Sequence, residues 1–310
     1  MGGGGSGGGF LPQKPTSAQI DSLVKKAQEQ AARDKGEAAA NQELLDLLAA
    51  FNDRDVDSIR ERIEAVGEAL GSEVEVDAIV FGGSVAKHTY VDGLSDIDAL
   101  VILEASGGVE APADLKALFH GLLERKLPMG QVETIREGDL AVTVEYRDGT
   151  ELQLLPAKRS GDQVAISDMT GRAWSQIDPT AFTRALTEIN QAQAGAVVPT
   201  IKLAKSVIAN FPEDRRLTGY HAEALAVEVF QRYDGRKTPV AMLRHFFKEA
   251  ADRVRSPIQD PTGQSATIDG YLGPSGSTER KVMSDTLATM ARALQSASSA
   301  DRWRQLVTGE

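Results

Sequence analysis

Between Phe81 and Asp98 the chain reads Phe-Gly-Gly-Ser-Val-Ala-Lys-His-Thr-Tyr-Val-Asp-Gly-Leu-Ser-Asp-Ile-Asp, so a Gly82-Gly83-Ser84 turn meets the pair Asp96 and Asp98 after an eleven-residue gap. Apolar runs flank it: Val76 to Phe81 and Ile97 to Leu103 both read as buried strands. Residues two apart on a strand share a face, so both carboxylates aim at one spot. Two carboxylates in an otherwise apolar strand repel each other unless a cation lies between them. A glycine turn beside them can approach a phosphate closely. Oxygen-only ligands that also meet phosphate suit Mg2+, or Mn2+ in its place. The chemistry this implies is metal-dependent nucleotidyl transfer, in which the cation neutralises a triphosphate, activates an attacking hydroxyl and stabilises the departing pyrophosphate.

An Asp-x-Asp or a Gly-Gly-Ser alone would signify no more than a solvated strand end or a turn; their register together is informative. Ser84 can donate its hydroxyl and its N–H to phosphate oxygens, and Val85 to Tyr90 are expected to begin a short helix. Lys87 has two readings, a charge for the phosphates or a solvated lysine. His88 is read as structural, since Mg2+ seldom takes imidazole.

The 310 residues suffice for one large domain or two small ones, and 41% hydrophobic with 25% charged residues is ordinary for a globular chain. No apolar run approaches the ~20 residues of a membrane helix. The first ten residues, mostly Gly, have neither the charge nor the apolar stretch of a signal peptide, and no cysteine is present; a cytoplasmic location is the default. A net charge of −11 and a pI near 5.0 argue against long nucleic acid, which wants a basic surface, while leaving a small nucleotide with its own cation compatible.

Residues 1–16 read as a flexible Gly-rich tail, and residues 17–50 as one or two helices. A further helix is expected after Asn52-Asp53-Arg54-Asp55, with Asp55 as N-cap and Ile59, Ile63, Val66 and Leu70 facing a sheet. Leu115, Leu118, Phe119, Leu122 and Leu123 mark an amphipathic helix. Asp148-Gly149 between Leu140–Tyr146 and Glu151–Leu155 signals a hairpin. From about residue 175 the pattern is helical: Asp178-Pro179 opens one helix in N-cap/N1 fashion, Pro199 lies near the start of the next, and others cover roughly 219–233, 238–253 and 277–296. The class is α+β, with a mixed-sheet catalytic lobe over 17–170, a helical lobe over 171–310 and a cleft between them. No internal repeat is evident.

The Gly-Ser, gap, Asp-x-Asp pattern resembles the signature of the polymerase-β-like nucleotidyltransferase superfamily. Within it the chain looks most like the bacterial cGAS/DncV-like nucleotidyltransferases (CD-NTases). The Gly-rich start, Asn52 to Asp55, Gly82 to Tyr90 and Pro199-Thr200-Ile201-Lys202-Leu203-Ala204-Lys205 carry that closer likeness, which spans most of residues 40–300. The resemblance implies a two-lobed fold and synthesis of cyclic di- or trinucleotides from NTPs, which activate a partner effector in anti-phage signalling.

One departure stands out. The superfamily's third carboxylate falls where this chain has Gln153, in Gln-Leu-Leu-Pro-Ala. Glutamine can hydrogen-bond a hydroxyl or coordinate weakly, but it is no base near neutral pH. Three readings follow: Glu151, two residues earlier on the same face, substitutes; the metal alone lowers the hydroxyl pKa; or the site is degraded. Lys202 and Lys205 share a helix face at i and i+3, and the resemblance gives Lys205 the role of a triphosphate-contacting lysine. Thr218 to Glu223 match a segment that usually reads Ser-Tyr-x-x-Glu. That makes Thr218 the nearest candidate for a triphosphate-holding serine, Tyr220 either a base-stacking or a core residue, and Glu223 structural. Asp260 to Ser265 reads as a surface turn, with the border of an acceptor pocket as the other reading. Two rival functions remain: transfer to an RNA 3′ end or a protein, and nucleotide binding without catalysis.

Overall fold

The computed structural model describes residues 17–310 except 52–55, 92–95, 105–110, 129, 162, 169–170 and 263–264. The Gly-rich tail and the Asp55 cap therefore lie outside the described residues. Helix α1 (Ser17–Ala50) is one unbroken helix. Gly36 does not interrupt it; a Cβ there would lie 2.7 Å from the Ser298 carbonyl oxygen, so the glycine permits close approach to that segment.

Helix α2 (Val56–Gly71) leads into strand β1 (Val76–Phe81), a single helical turn α3 (Gly83–Ala86) and strand β2 (Ile97–Leu103). Then come α4 (Pro112–Lys126), β3 (Val132–Glu137), β4 (Val142–Tyr146), β5 (Glu151–Ser160), β6 (Gln163–Ser167) and β7 (Trp174–Ile177). The sheet order is β1-β2-β5-β4-β3, with β6 pairing β5 and β7 pairing β6. Only β2 and β5 run parallel; the other pairs are antiparallel. The length of β5 lets its first half pair with β4 and its second with β6.

Helices α2 and α4 cover one face of this sheet. Their Val66, Leu70, Leu115, Phe119, Leu122 and Leu123 join Ile97, Ala99, Val101, Val144, Leu152 and Leu154 in one core. Ile59, Ile63 and Leu118, also placed on this face by their spacing, pack at its margin. By alternation Asp98 and Gln153 look to the other face, where Leu100, Ile102, Ala157 and Ile166 form a small second cluster. Strand β1 is not buried as its composition suggests. It is an edge strand, and its Val80 and Phe81 are exposed.

Helices α5 (Ala181–Ala192), α6 (Val197–Ala209), α7 (Gly219–Phe230), α8 (Pro239–Arg253), α9 (Thr278–Ser296) and α10 (Ala300–Thr308) form the second body. Asp178 does not cap α5 directly. It accepts from Thr180 N at 3.0 Å and from Arg184 at 2.8 Å, and Thr180 takes the N-cap position. The core of this body includes Ala40, Leu44, Leu47 and Leu48, so α1 packs with the helices and not with the sheet. Strand β7 carries the sheet to Ile177. No described helix is long and apolar enough to cross a membrane.

Candidate active site

Strand β1 delivers the chain to Gly82, whose N–H donates to the Asp98 carbonyl oxygen at 2.8 Å. Gly83 has φ +49°, and a Cβ on it would fall 1.6 Å from Asp98 Oδ2. Glycine is required here twice over, by conformation and by the carboxylate lying against it. The helical turn α3 starts at Gly83, two residues before the expected Val85, and ends at Ala86. The Ser84 carbonyl accepts from Thr89 N and Tyr90 N at 2.9 and 3.1 Å, closing the loop. Ser84 Oγ is buried and has no hydrogen-bond partner, a cost of about 1–3 kcal/mol that a ligand oxygen would relieve. His88 occupies a left-handed turn position (φ 59°) with its side chain exposed.

Parallel pairing sets Asp98 opposite Gln153, and Gln153 Nε2 donates to Asp96 Oδ2 at 2.7 Å. The glutamine thus stands beside both aspartates. Glu151 does not join them: its carboxylate pairs with Arg136 at 3.0 Å, and Arg136 also approaches Glu145 at 3.6 Å. Burial pushes Asp98 up to about 6, with Asp96 and Glu223 adding to the rise against Lys87 and Lys205. Asp96 is raised as well, by burial and then by Glu151. Two neighbouring carboxylates that both resist ionisation, with an amide oxygen a side-chain flip away, fit a hard divalent cation.

Because the fold raises Asp98 above its unfolded value of 3.8, its contribution favours folding at acid pH and becomes a cost as pH rises through about 6. Asp98→Asn is expected to raise metal-free stability at pH 7.5 by roughly 2 kcal/mol and to change it little at pH 4. Urea unfolding at the two pH values checks this.

Behind the turn lies a buried cluster. Glu223, 1% exposed, meets Lys205 Nζ at 2.7 Å and Lys87 Nζ at 2.5 Å. Thr89 Oγ1 donates to the same carboxylate, and Lys205 Nζ donates to the Thr89 carbonyl at 3.1 Å. Burial pushes Glu223 up, but Lys205 and Lys87 together outweigh it and hold it ionised. Lys205 is lowered by burial, only partly offset by Glu223. One carboxylate serves two ammonium groups, which leaves the cluster one positive charge in excess beside Asp98. Lys202, one turn earlier on α6, is also buried.

The remaining sequence candidates are engaged locally. Lys87 Nζ lies 4.9 Å from the ring centroids of both Phe182 and Tyr220, and those rings meet edge to face at 4.8 Å. The Tyr220 hydroxyl donates to Asp260 at 3.0 Å. Asp260 also accepts from Thr262 N and Ser265 N, so the described part of the 260–265 turn closes on it. Thr218 Oγ1 caps α7 by accepting from His221 N. Thr89 and Phe182 were not singled out by sequence reasoning; both act through residues about 90 or more positions away, and no local pattern marks them. A cavity of about 520 Å³ lies elsewhere, under Arg62, Tyr146 and Asp148 on the helix-covered side, and has no part in this site.

No family model matches the chain, and no curated protein sequence matches it. Solved structures do. The CD-NTase CdnG of Bradyrhizobium diazoefficiens in complex with GTP aligns with TM-score 0.64 at 18% identity, over 87% of this chain and 95% of its own. CdnC of E. coli MS115-1 with ATP aligns with TM-score 0.62 at 16% identity, over 82% and 92%. Escherichia coli DncV in its 3′-deoxy GTP bound form gives TM-score 0.62 at 14% identity, over 96% and 92%. The chain has the fold of these proteins, as its α+β reading and its resemblance implied.

Proposed function

We propose that this chain is a divalent-cation-dependent nucleotidyltransferase of the CD-NTase kind that makes cyclic di- or trinucleotides from NTPs. The observation that carries the reading is the Asp98 carboxylate packed on Gly83, beside the unpartnered hydroxyl of Ser84. The shared fold adds support, because structures with that fold hold ATP, GTP or 3′-deoxy GTP. A further structure with this fold, Elizabethkingia meningoseptica CdnE with GTP and Apcpp, is a cyclic dinucleotide synthase.

Asp96 and Asp98, with the amide oxygen of Gln153, would hold Mg2+ or Mn2+. When bound there, the cation supplies charge neutralisation at the transferring phosphate and a lowered pKa for the attacking hydroxyl. Ser84 offers its hydroxyl, and Gly82 and Gly83 leave the backbone open to phosphate oxygens. Lys205 and Lys87 supply the excess positive charge, held in place by Glu223 and Thr89. Without the cation Gln153 orients Asp96 through its 2.7 Å hydrogen bond, and turning its amide oxygen to the cation would exchange that bond for a metal contact. Lys202 and Thr218 stand one turn and one loop behind this front, and the ring of Tyr220 backs Lys87. An effector that responds to the product, a role in anti-phage signalling and a cytoplasmic location complete the proposal.

Pyrophosphate release from a mixture of the four NTPs with Mg2+ tests the transfer itself. A labelled-NTP denaturing gel run beside it separates small products from transfer to RNA or protein. Pyrophosphate is expected, with no label on macromolecules; label on a macromolecule would replace the cyclic-product reading. Gln153 favours one alternative, a module that binds NTPs without turning them over, which predicts heat of binding by calorimetry and no pyrophosphate. Restoring a carboxylate bears on the same point. Because affinity at oxygen sites follows ligand charge, Gln153→Asp is expected to tighten Mn2+ binding about tenfold. Paramagnetic titration of Mn2+ reads that change.

A further inference from the structure

On the helix-covered side of the sheet, the cavity of about 520 Å³ opens between α2, the α4–β3 connection and the β4–β5 hairpin. That size falls within the ~300–1,000 Å³ of small-molecule sites. Ala65, Leu127, Pro128 and Val132 give it an apolar wall. Gly130 keeps it open: the glycine lines the cavity, and a Cβ there would meet nothing within 4 Å.

The opposite wall is polar and held in place. The Arg62 guanidinium lies 4.2 Å from the centroid of the Tyr146 ring and donates to Asp148 Oδ2 at 2.5 Å. Ring and carboxylate together fix its plane where it borders the cavity, with the side chain only 13% exposed. A guanidinium backed on one face by an aromatic ring can take a second flat ring on the other. The Tyr146 hydroxyl is buried and has no hydrogen-bond partner among the described residues. A phenylalanine would back Arg62 without the cost of about 1–3 kcal/mol that this hydroxyl carries. An unmet polar group at a cavity wall marks a place for a ligand's polar atom. The exposed amide of Gln131 borders the same space and offers a further donor.

Charge limits what can enter. The Arg62 hydrogen bond holds the Asp148 carboxyl down to about 2, so the two stay ionised and cancel. Arg147 is matched in the same way by Glu133 at 3.0 Å. Glu61 is left as an exposed lining carboxylate, which disfavours anions. We infer that this cavity is a second ligand site, for an uncharged planar heteroaromatic molecule of purine size that carries ring-nitrogen or carbonyl acceptors. The ring system stacks on the free face of Arg62 against the apolar wall. The site lies across the sheet from Asp98 and Gln153 and does not depend on their chemistry.

The probe is 2-aminopurine, an uncharged fluorescent base, into which the full chain is titrated with and without saturating ATP and Mg2+. Stacking is expected to quench its emission with a Kd on the order of 0.1 mM, unchanged by the nucleotide. Gly130→Phe fills the cavity from its open side and is expected to weaken the probe by at least about tenfold, with Tm unchanged. Arg62→Met removes the stacking plane and is expected to weaken it about tenfold. Absence of quenching at about 0.5 mM protein, displacement by ATP, or equal affinity in Gly130→Phe would each overturn the assignment. Should Gly130→Phe lower Tm, unchanged affinity in Arg62→Met overturns it instead.

Discussion

Asp96→Ala combined with Asp98→Ala is expected to lower nucleotidyl transfer by about 10³-fold or more, with the fold retained. Both parts follow from the same geometry. The carboxylates stand on one face at the mouth of the sheet, with Gln153 bound to one and Gly83 against the other. No three His, Cys, Asp or Glu side chains among the described residues come together as a cation site, so the two aspartates with Gln153 have no substitute cluster. The loss should therefore not be made good by a neighbour, and Glu151 in particular is occupied by Arg136. Stability should not fall, because burial already opposes the charge on both groups. Pyrophosphate release and thermal melting of the double variant read the two halves. Retained synthesis by a folded double mutant would remove the metal-site assignment.

Glu223→Ala is expected to have the largest effect on stability. Lys87 and Lys205, each 8% exposed, share its carboxylate at 2.5 and 2.7 Å, and their loss of it leaves two ammonium groups buried side by side. Breaking a buried pair by removing one partner costs about 3–5 kcal/mol, which for a chain of this size is a fall in Tm of about 10 °C. The cluster also ties the two bodies together, since Lys87 follows α3 while Lys205 and Glu223 belong to α6 and α7. Differential scanning calorimetry gives the number. An unchanged Tm would mean that the lysines find other partners and that the cluster is not a joint.

The reading from sequence carried furthest where chemistry and periodicity coincide. Strands β1 and β2, the hairpin at Asp148-Gly149 and helices α4 and α6 to α9 follow from apolar spacing and turn residues that are local by nature. The juxtaposition of Gln153 with Asp98 was legible only through family resemblance, since a parallel pairing across 55 positions leaves no local mark. Strand β3 escaped because it is an edge strand whose Glu133, Arg136 and Glu137 face solvent and break the apolar alternation. Strands β6 and β7 are short, four or five residues each, and fall below what a period-2 pattern can establish. Helix α1 reads as part of the catalytic lobe by chain order, but its Ala40, Leu44, Leu47 and Leu48 pack in the helical core against α6, α8 and α10. Glu223 reads from the sequence as structural, and it is buried, yet it holds two lysines of the site. Sequence could not reveal that, because the partners meet only when the two bodies close on each other.

As proposed, this chain joins NTPs into a cyclic product. Its most direct test is incubation of the purified protein with ATP, GTP, CTP and UTP and Mg2+, or Mn2+ in its place, followed by phosphatase and mass-resolved chromatography. Phosphatase-resistant material at the mass of a cyclic di- or trinucleotide is expected, absent from the Asp96→Ala, Asp98→Ala variant. Complete conversion of all nucleotide to nucleosides, with either cation, would contradict it.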